Sequence, residues 1–338
     1  MYVVEFRDSS KPKRFLTLLA LLCTVLYFCH AWFFMAEDWQ YGLLDAIYLF
    51  CNLSVYPVFL CYVIILTQDV PFKGRIFLLL LPAFIMSVAA YLSGGNALVL
   101  KIARVIFALQ VVSVAFFGLR ALAKFDKDIR NFYSDTEGKT MHATTVLLVC
   151  FLIFAVLSTV ANIIGRERFL DSGILGIPSL FFSAFIFAVF EVSSKIDFYA
   201  KDFKKEVNET VPEAYPEFAG EAGDDAELAA KIAAVMDEQK LFLTPGLKIS
   251  DVALAVGSNR TYVSNAINNV AQMPFSDYVN SRRIEHAKAL LSESGSDAES
   301  SISTVAQESG FASFPSFYRA FVKYVGMPPT AWLKSFKG

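Results

Sequence analysis

A short segment near the C-terminus carries hydrogen-bonding side chains on one face of a predicted helix. Val263, Ala266 and Ile267 have the spacing of a buried helix face. The side chains left on the outer face are Arg260, Thr261, Ser264 and Asn265. Hydroxyl, amide and guanidinium groups of this kind hydrogen-bond the edges of nucleic-acid bases and the oxygens of phosphates.

A second segment repeats the arrangement with more aromatic and basic character. Phe317, Ala320 and Phe321 take the buried positions. The outer side chains are Phe314, Ser316, Tyr318, Arg319 and Lys323. Arginine and lysine suit guanine edges and phosphate oxygens, so both segments are candidates for contact with a nucleic acid.

The two segments belong to a duplicated motif. Residues 249–253 (Ile-Ser-Asp-Val-Ala) precede Gly257, and residues 302–306 (Ile-Ser-Thr-Val-Ala) precede Gly310, 53 residues later. Each glycine allows a tight turn between two short helices. The pattern predicts two helix-turn-helix units, at residues 249–268 and 302–324.

A predicted helix at residues 275–292 joins the two units. Its 18 residues span about 27 Å. This length allows one chain to place two recognition helices in successive major grooves, which lie about 34 Å apart on one face of DNA.

Residues 228–338 resemble the AraC/XylS family of bacterial transcription regulators. The resemblance rests on the two units, on Arg282-Arg283-Ile284 in the joining helix, and on the closing Gly326-Met327-Pro328-Pro329 with Trp332. It implies base contacts from both recognition helices. Carried over by position, the contacting residues are Thr261, Ser264, Asn265, Phe314, Pro315, Ser316, Tyr318 and Arg319.

Two positions depart from the family pattern. Phe314 and Pro315 stand where polar residues are common, so we expect the second unit to read thymine methyl groups or DNA shape. Leu333 replaces a frequent arginine after Trp332, which removes one basic group.

The N-terminal half has the composition of a membrane domain. Six apolar stretches approach the roughly 20 helical residues that cross a bilayer core. They lie near residues 15–34, 43–65, 76–92, 97–119, 143–164 and 173–190. The sequence therefore predicts an all-α protein with a six-helix transmembrane bundle over residues 1–195, followed by the DNA-binding domain over residues 228–338.

The basic residues between these stretches predict the orientation. With the N-terminus inside, the inner segments hold 15 Lys and Arg residues, and the outer segments hold only Lys101, Arg104, Arg166 and Arg168. Positive charge favours the cytoplasmic side, so both termini are expected there. This orientation puts the DNA-binding domain in the cytoplasm of a bacterial cell, attached to the inner membrane.

Residues 196–227 are predicted to connect the two halves. The first part has the pattern of a juxtamembrane helix. Residues 206–227 contain eight acidic residues, no Lys or Arg, and several Pro and Gly residues. This composition is typical of a flexible, self-repelling linker.

The four outer basic residues have two interpretations. Lys101 and Arg104 share a helix face at i and i+3, and could be interfacial anchors. Alternatively, they form an anion-binding signal site that Arg166 and Arg168 complete.

The chain shows no metal-binding or hydrolytic motif, so we expect neither an enzyme nor a bound cofactor. The favoured interpretation is a membrane-bound transcription regulator whose partners are double-stranded DNA and the lipid bilayer. RNA polymerase, an unknown small-molecule or membrane signal, and a second copy of the chain are candidate partners. Two alternatives stay open: a transporter or membrane enzyme with a regulatory DNA-binding domain, and a passive anchor from which proteolysis releases the regulator.

Overall fold

A computed structural model describes residues 11–35, 41–68, 78–164, 200–207, 225–293 and 298–337. Within these ranges the regular elements are helices, and the only strand-like pairing is one isolated bridge between Tyr133 and Lys248. The expected all-α class is therefore confirmed for the described part of the chain.

The N-terminal half contributes six described helices. They are α1 (Lys11–Met35), α2 (Leu43–Thr67), α3 (Leu81–Leu92), α4 (Ala97–Phe132), α5 (His142–Ile164) and α6 (residues 200–207). Among the described residues, α1, α2 and α4 are long and apolar enough to cross a membrane. The apolar helices at Leu78–Leu92 and His142–Leu157 are shorter. The predicted stretch at residues 173–190 lies outside the described residues, so the six-helix bundle stays a prediction.

Helix α2 lies at the centre of the N-terminal helices because most of its side chains are apolar and buried. It packs against both α1 and α3. The ring of Tyr56 contacts Phe107 of α4 and Phe151 of α5, with ring centroids 5.2 and 4.6 Å apart.

Helix α4 extends 13 residues beyond the predicted end of its apolar stretch at residue 119. The extension contains charged residues, but Leu122, Phe125, Ile129 and Phe132 recur at helical spacing and are buried. The helix therefore continues as an amphipathic segment after the purely apolar run ends.

The described contacts divide the chain into two compact units. One contains Met1–Phe125 and Met141–Lys204, and the other contains Asp126–Thr140 and Lys205–Gly338. Residues 126–140, which lie within the predicted transmembrane domain, thus pack within the C-terminal unit.

The C-terminal unit contains seven further described helices. They are α7 (Asp225–Glu238), α8 (Ile249–Val256), α9 (Arg260–Ala266), α10 (Phe275–Glu293), α11 (Ala298–Glu308), α12 (Phe314–Val325) and α13 (Pro329–Lys337). The predicted linker ends earlier than expected, because α7 begins at Asp225. Residues 208–224 of that linker lie outside the described residues.

Helix α10 contributes side chains to both helix-turn-helix units. Its N-terminal half buries Phe275, Tyr278 and Val279, and its C-terminal half buries Ile284, Ala287 and Leu291. The second set forms one apolar core with residues of α11, α12, α13 and the turn between α11 and α12, among them Phe311, Phe317, Phe321 and Leu333.

Arg283 links α10 by hydrogen bonds to the turn that precedes the first helix-turn-helix unit. Its side chain is 1% exposed. Its guanidinium donates to the carbonyl oxygens of Phe242 and Thr244, at 2.6 and 2.8 Å. Burial lowers the pKa of Arg283 to about 10, an effect that Asp135 opposes. The paired carbonyls satisfy a cation that would otherwise be costly to bury.

Candidate nucleic-acid interface

The first unit consists of α8, a turn at Gly257, and α9. Gly257 has a φ of 64°, in the left-handed region that favours glycine. The side chain of Asn259 then caps α9 by accepting from the backbone N–H of Tyr262 at 2.9 Å. This turn and cap set the direction in which α9 leaves α8.

The predicted residues of the first unit differ in their exposure. Thr261 and Asn265 are exposed on α9, whereas Ser264 is half-buried and accepts a hydrogen bond from Asn268 Nδ2 at 3.1 Å. Arg260 is also half-buried, with its guanidinium carbon 5.9 Å from the ring centroid of Phe132. Thr261 and Asn265 are therefore the more accessible of the four.

The second unit consists of α11, a turn at Gly310, and α12. Ser313 caps α12 by accepting from the backbone N–H of Ser316 at 3.2 Å. Pro315 lies in the first turn, where its missing N–H has no partner to lose. The exposed fractions of Phe314 and Tyr318 are 45% and 42%.

Lys323, on the next turns of α12, forms an ion pair with Asp277 of α10. Its Nζ lies 2.8 Å from both carboxylate oxygens. The hydroxyl of the adjacent Tyr324 donates to the Asp277 carbonyl oxygen at 3.2 Å. Lys323 thus helps to fix α12 on α10, while its side chain keeps 54% exposure.

An acidic side chain from residues 126–140 lies on the outer face of α12. The Glu137 carboxylate accepts hydrogen bonds from the hydroxyls of Ser313 and Ser316. It also forms an ion pair with the Arg319 guanidinium at 2.9 Å. The Ser313 and Ser316 hydroxyls, followed by Arg319, lower the pKa of Glu137 to about 2. Glu137 is therefore ionised at neutral pH.

Residues 252–335 match the family model of a helix-turn-helix domain. The C-terminal part of this chain is a helix-turn-helix domain. The expected domain type is thereby confirmed, and both of its recognition helices lie inside the matched range.

Two curated relatives match a part of the chain. The melibiose operon regulatory proteins of two Escherichia coli strains, K12 and O6:H1, are each 40% identical to this chain over 88 residues. That stretch is 26% of this chain and 28% of each relative. The chain therefore spans less than a third of the length of the relatives it matches. No solved structure matches the chain.

The structure of the helix-turn-helix domain adds residues that the sequence reasoning missed. Tyr262 is 37% exposed on α9, beside the predicted Thr261. Ser313 combines a capping role with the contact to Glu137, and the serine before a phenylalanine-proline pair was a usable capping signal. Glu137 had no such signal, because 176 residues separate it from Ser313.

The predicted outer basic cluster is only partly described. Lys101 and Arg104 are exposed on the first turns of α4, three residues apart on one helix face. Arg166 and Arg168 lie outside the described residues. The signal site therefore stays a prediction.

Proposed function

We propose that this protein is a membrane-integrated transcription regulator that binds a specific DNA sequence through two successive major grooves. Its transmembrane half serves as a sensor or an anchor in the bacterial cytoplasmic membrane. The helix-turn-helix domain lies in the cytoplasm, where double-stranded DNA is the partner. RNA polymerase and a second copy of the chain are further candidate partners.

The duplicated helix-turn-helix arrangement on a single joining helix carries the proposal. Both recognition helices, α9 and α12, begin after a glycine turn and a side-chain cap, and both expose polar or aromatic residues. Helix α10 has 19 residues, or about 28 Å of rise, comparable with the separation of two major grooves. The names of the two relatives, which are operon regulatory proteins, support the same function.

An exposed apolar stripe on α4 supports insertion in a bilayer. Six large apolar side chains recur every three or four residues along this helix, and each is between 45% and 66% exposed. They are Leu98, Ile102, Val105, Leu109, Val112 and Phe116. Water is a poor solvent for such a continuous stripe, whereas lipid tails are a suitable one.

The DNA-binding part of the proposal is tested with the full chain in lipid nanodiscs. Duplexes are selected from a random-sequence library, and the enriched sequences are titrated against shuffled ones. We expect enrichment of a site long enough for two half-sites about one helical turn apart. Because the domain's net charge is about +2 (11 basic and 9 acidic residues over 228–338), binding to shuffled DNA should be weak and should weaken further with salt. No enrichment, or equal binding of selected and shuffled duplexes, would contradict the proposal.

Lys101 and Arg104 are proposed as part of a signal-facing site. A Lys101→Gln, Arg104→Gln double variant should change the output of target genes while leaving DNA affinity intact. The matched control is Arg120→Gln with Lys124→Gln, which removes the same charge from the other end of α4. If the two double variants give equal output of target genes, the signal-site proposal is wrong and Lys101 and Arg104 are interfacial anchors.

A further inference from the structure

We propose that residues 133–139, named here the acidic segment, inhibit DNA binding by occupying the DNA-facing surface of the second recognition helix. DNA and the acidic segment then compete for Ser313, Ser316 and Arg319. This inference rests on the proposed function, because it concerns the regulation of the same site.

The contacts lie on one face of α12. Ser313, Ser316 and Arg319 are spaced three residues apart, so their side chains follow one another along the same side of the helix. The Glu137 carboxylate contacts all three. The Ser316 hydroxyl also lies 3.3 Å from the Asp135 carboxylate. The acidic segment therefore uses the polar donors at the N-terminal end of the recognition helix, the end that contacts bases in helix-turn-helix proteins.

The Glu137 carboxylate provides the same chemistry as the DNA groups that this surface would bind. Hydroxyl and guanidinium donors pair with phosphate oxygens and with the acceptor edge of guanine. An ionised carboxylate offers two such acceptor oxygens and a negative charge. Its position at the N-terminus of α12 is also favoured by the helix dipole, as a phosphate would be. A donor that is paired with Glu137 cannot make the same hydrogen bond to DNA at the same time.

The acidic segment is fixed to the domain at several further points. The Ser134 backbone N–H donates to the Leu247 carbonyl oxygen at 3.0 Å, next to the bridge between Tyr133 and Lys248. The Ser134 carbonyl oxygen accepts from Asn280 Nδ2 at 3.3 Å. These backbone contacts join the segment to the start of the first unit and to α10, so the position of Glu137 does not depend on its side chain alone.

A second ionised carboxylate holds the other end of the acidic segment. Glu206 accepts from the Tyr133 hydroxyl and forms an ion pair with Lys248 at 2.9 Å. Burial raises the pKa of Glu206. The Tyr133 hydroxyl and Lys248 together lower it by more than burial raises it, so the net shift is downward. The acidic segment thus contacts α6, the first helix-turn-helix unit and the second helix-turn-helix unit.

The sequence position of the acidic segment gives it a route to respond to a signal. Only nine residues separate the end of α4 at Phe132 from the start of α5 at His142. The segment is covalently continuous with both helices, so a shift of α4 or α5 can be passed to it along this short chain. A signal that moves either helix would withdraw Glu137 from α12 and release the DNA-binding surface.

The experiment measures the DNA affinity of the full chain in nanodiscs by fluorescence anisotropy. Two duplexes serve as probes, one selected by the wild-type chain and one selected by the Glu137→Gln variant. Glu137→Gln and Glu137→Ala should each bind at least about fivefold more tightly than wild type, the lower end of typical allosteric coupling. The control is Glu285→Gln, which removes an exposed carboxylate of α10 whose ion pair among the described residues is the local one with Lys288. It makes the same change in net charge without touching α12.

The outcomes separate this inference from the proposed function. If the wild type and both Glu137 variants bind the selected duplexes with equal affinity, the proposed function stands and the inhibition is wrong. If Glu285→Gln increases affinity as much as Glu137→Gln, the effect is one of net charge and the inhibition is again wrong. If no form of the chain prefers the selected duplexes to shuffled ones, the proposed function fails and the inhibition fails with it.

A second measurement uses the reciprocity of coupling. If the acidic segment weakens DNA binding, DNA must weaken the attachment of the segment. Saturating DNA should therefore accelerate tryptic cleavage after Lys139 in the wild-type chain, where Lys139 lies 3.6 Å above the Tyr133 ring. An unchanged cleavage rate would overturn the competition.

Discussion

Glu137 is an exposed carboxylate with an unusually low pKa for its position. More than a third of its side chain is accessible to water, yet three groups on α12 bind its ionised form. Hydrogen bonds to the charged form favour that form, and so they lower the pKa. The contact itself is the cause, so the titration of Glu137 reports whether the contact exists.

The stability that this contact provides should depend on pH over a defined window. The pKa of Glu137 is lowered from 4.5 to about 2 in the folded chain. The contribution is then fully present above pH 4.5 and is lost as pH falls toward 2. Exposed ion pairs contribute at most about 1 kcal/mol, so we expect a small effect. Hydrogen exchange of residues 313–319, corrected for intrinsic rates, should be faster in Glu137→Gln than in wild type at pH 6.

The same comparison at pH 3 provides the internal control. At pH 3 part of the Glu137 carboxylate in the wild-type chain is protonated. The difference in exchange rate between the two chains should therefore be smaller than at pH 6. A difference that stays constant from pH 6 to pH 3 would show that the Glu137 charge is not involved.

The outer residues of the recognition helices are predictable from the sequence, but the groups that contact them are not. Thr261 and Asn265 follow from helix periodicity, since the buried positions at Val263 and Ala266 leave them outside. The contact of Glu137 with α12 depends on how distant segments pack, and no local pattern encodes it. Arg283 was visible as part of a motif, but its burial against backbone carbonyls became evident only in the structure.

At the scale of elements, the glycines that precede and follow α12 have different surroundings. Gly310 has a φ of 82°, and a Cβ at this position would lie 2.6 Å from the carbonyl oxygen of Leu243. Gly326, at the end of α12, has a φ of 84°, and a Cβ at this position would have no other atom within 4 Å. Gly310 is therefore required both by backbone conformation and by close approach, whereas Gly326 is required by conformation alone.

Gly310→Ala should destabilise the second unit more than Gly326→Ala. Both substitutions strain the backbone by about 1–3 kcal/mol, because alanine disfavours positive φ. Gly310→Ala must also move the 241–243 turn, so its total cost should be larger by about 1 kcal/mol or more. Hydrogen exchange of the α12 amides in the full chain measures the local free energy of opening. Equal destabilisation by the two variants would contradict the close approach of Leu243.

The order and bounds of the described helices were largely predictable from hydrophobic periodicity. The packing of residues 126–140 with the C-terminal unit was not. The predicted helix at 275–292 matches α10 within one residue at each end. By contrast, the apolar run does not predict the extension of α4 to Phe132, because that run ends where charged residues begin. The amphipathic spacing of Phe125, Ile129 and Phe132 was available in the sequence and could have predicted it.

At the scale of the whole molecule, the predicted topology follows from the imbalance of basic residues. Reporter fusions after residues 70, 135 and 200 should report the cytoplasm, and fusions after residues 38, 95 and 169 should report the outside. The fusion at 135 has a second purpose, because it lies within the acidic segment, which must share a compartment with the helix-turn-helix domain. An outside signal at 135 or 200 would contradict the proposed arrangement.

The central claim is that one chain reads two half-sites. It is tested most directly by titrating the full chain against single-base-pair variants of its selected duplex. Thr261→Ala and Asn265→Ala probe α9, and Tyr318→Ala probes α12 at an exposed residue that has no described contact with the acidic segment. Arg319 is unsuitable here, because replacing it also removes the partner of Glu137.

We expect the α9 variants to lose preference at base pairs of one half-site, by about 1–3 kcal/mol for each lost base contact. Tyr318→Ala should lose preference about one helical turn away, at base pairs that the α9 variants leave unaffected. Loss of preference at the same base pairs for both sets of variants would contradict the two-groove arrangement.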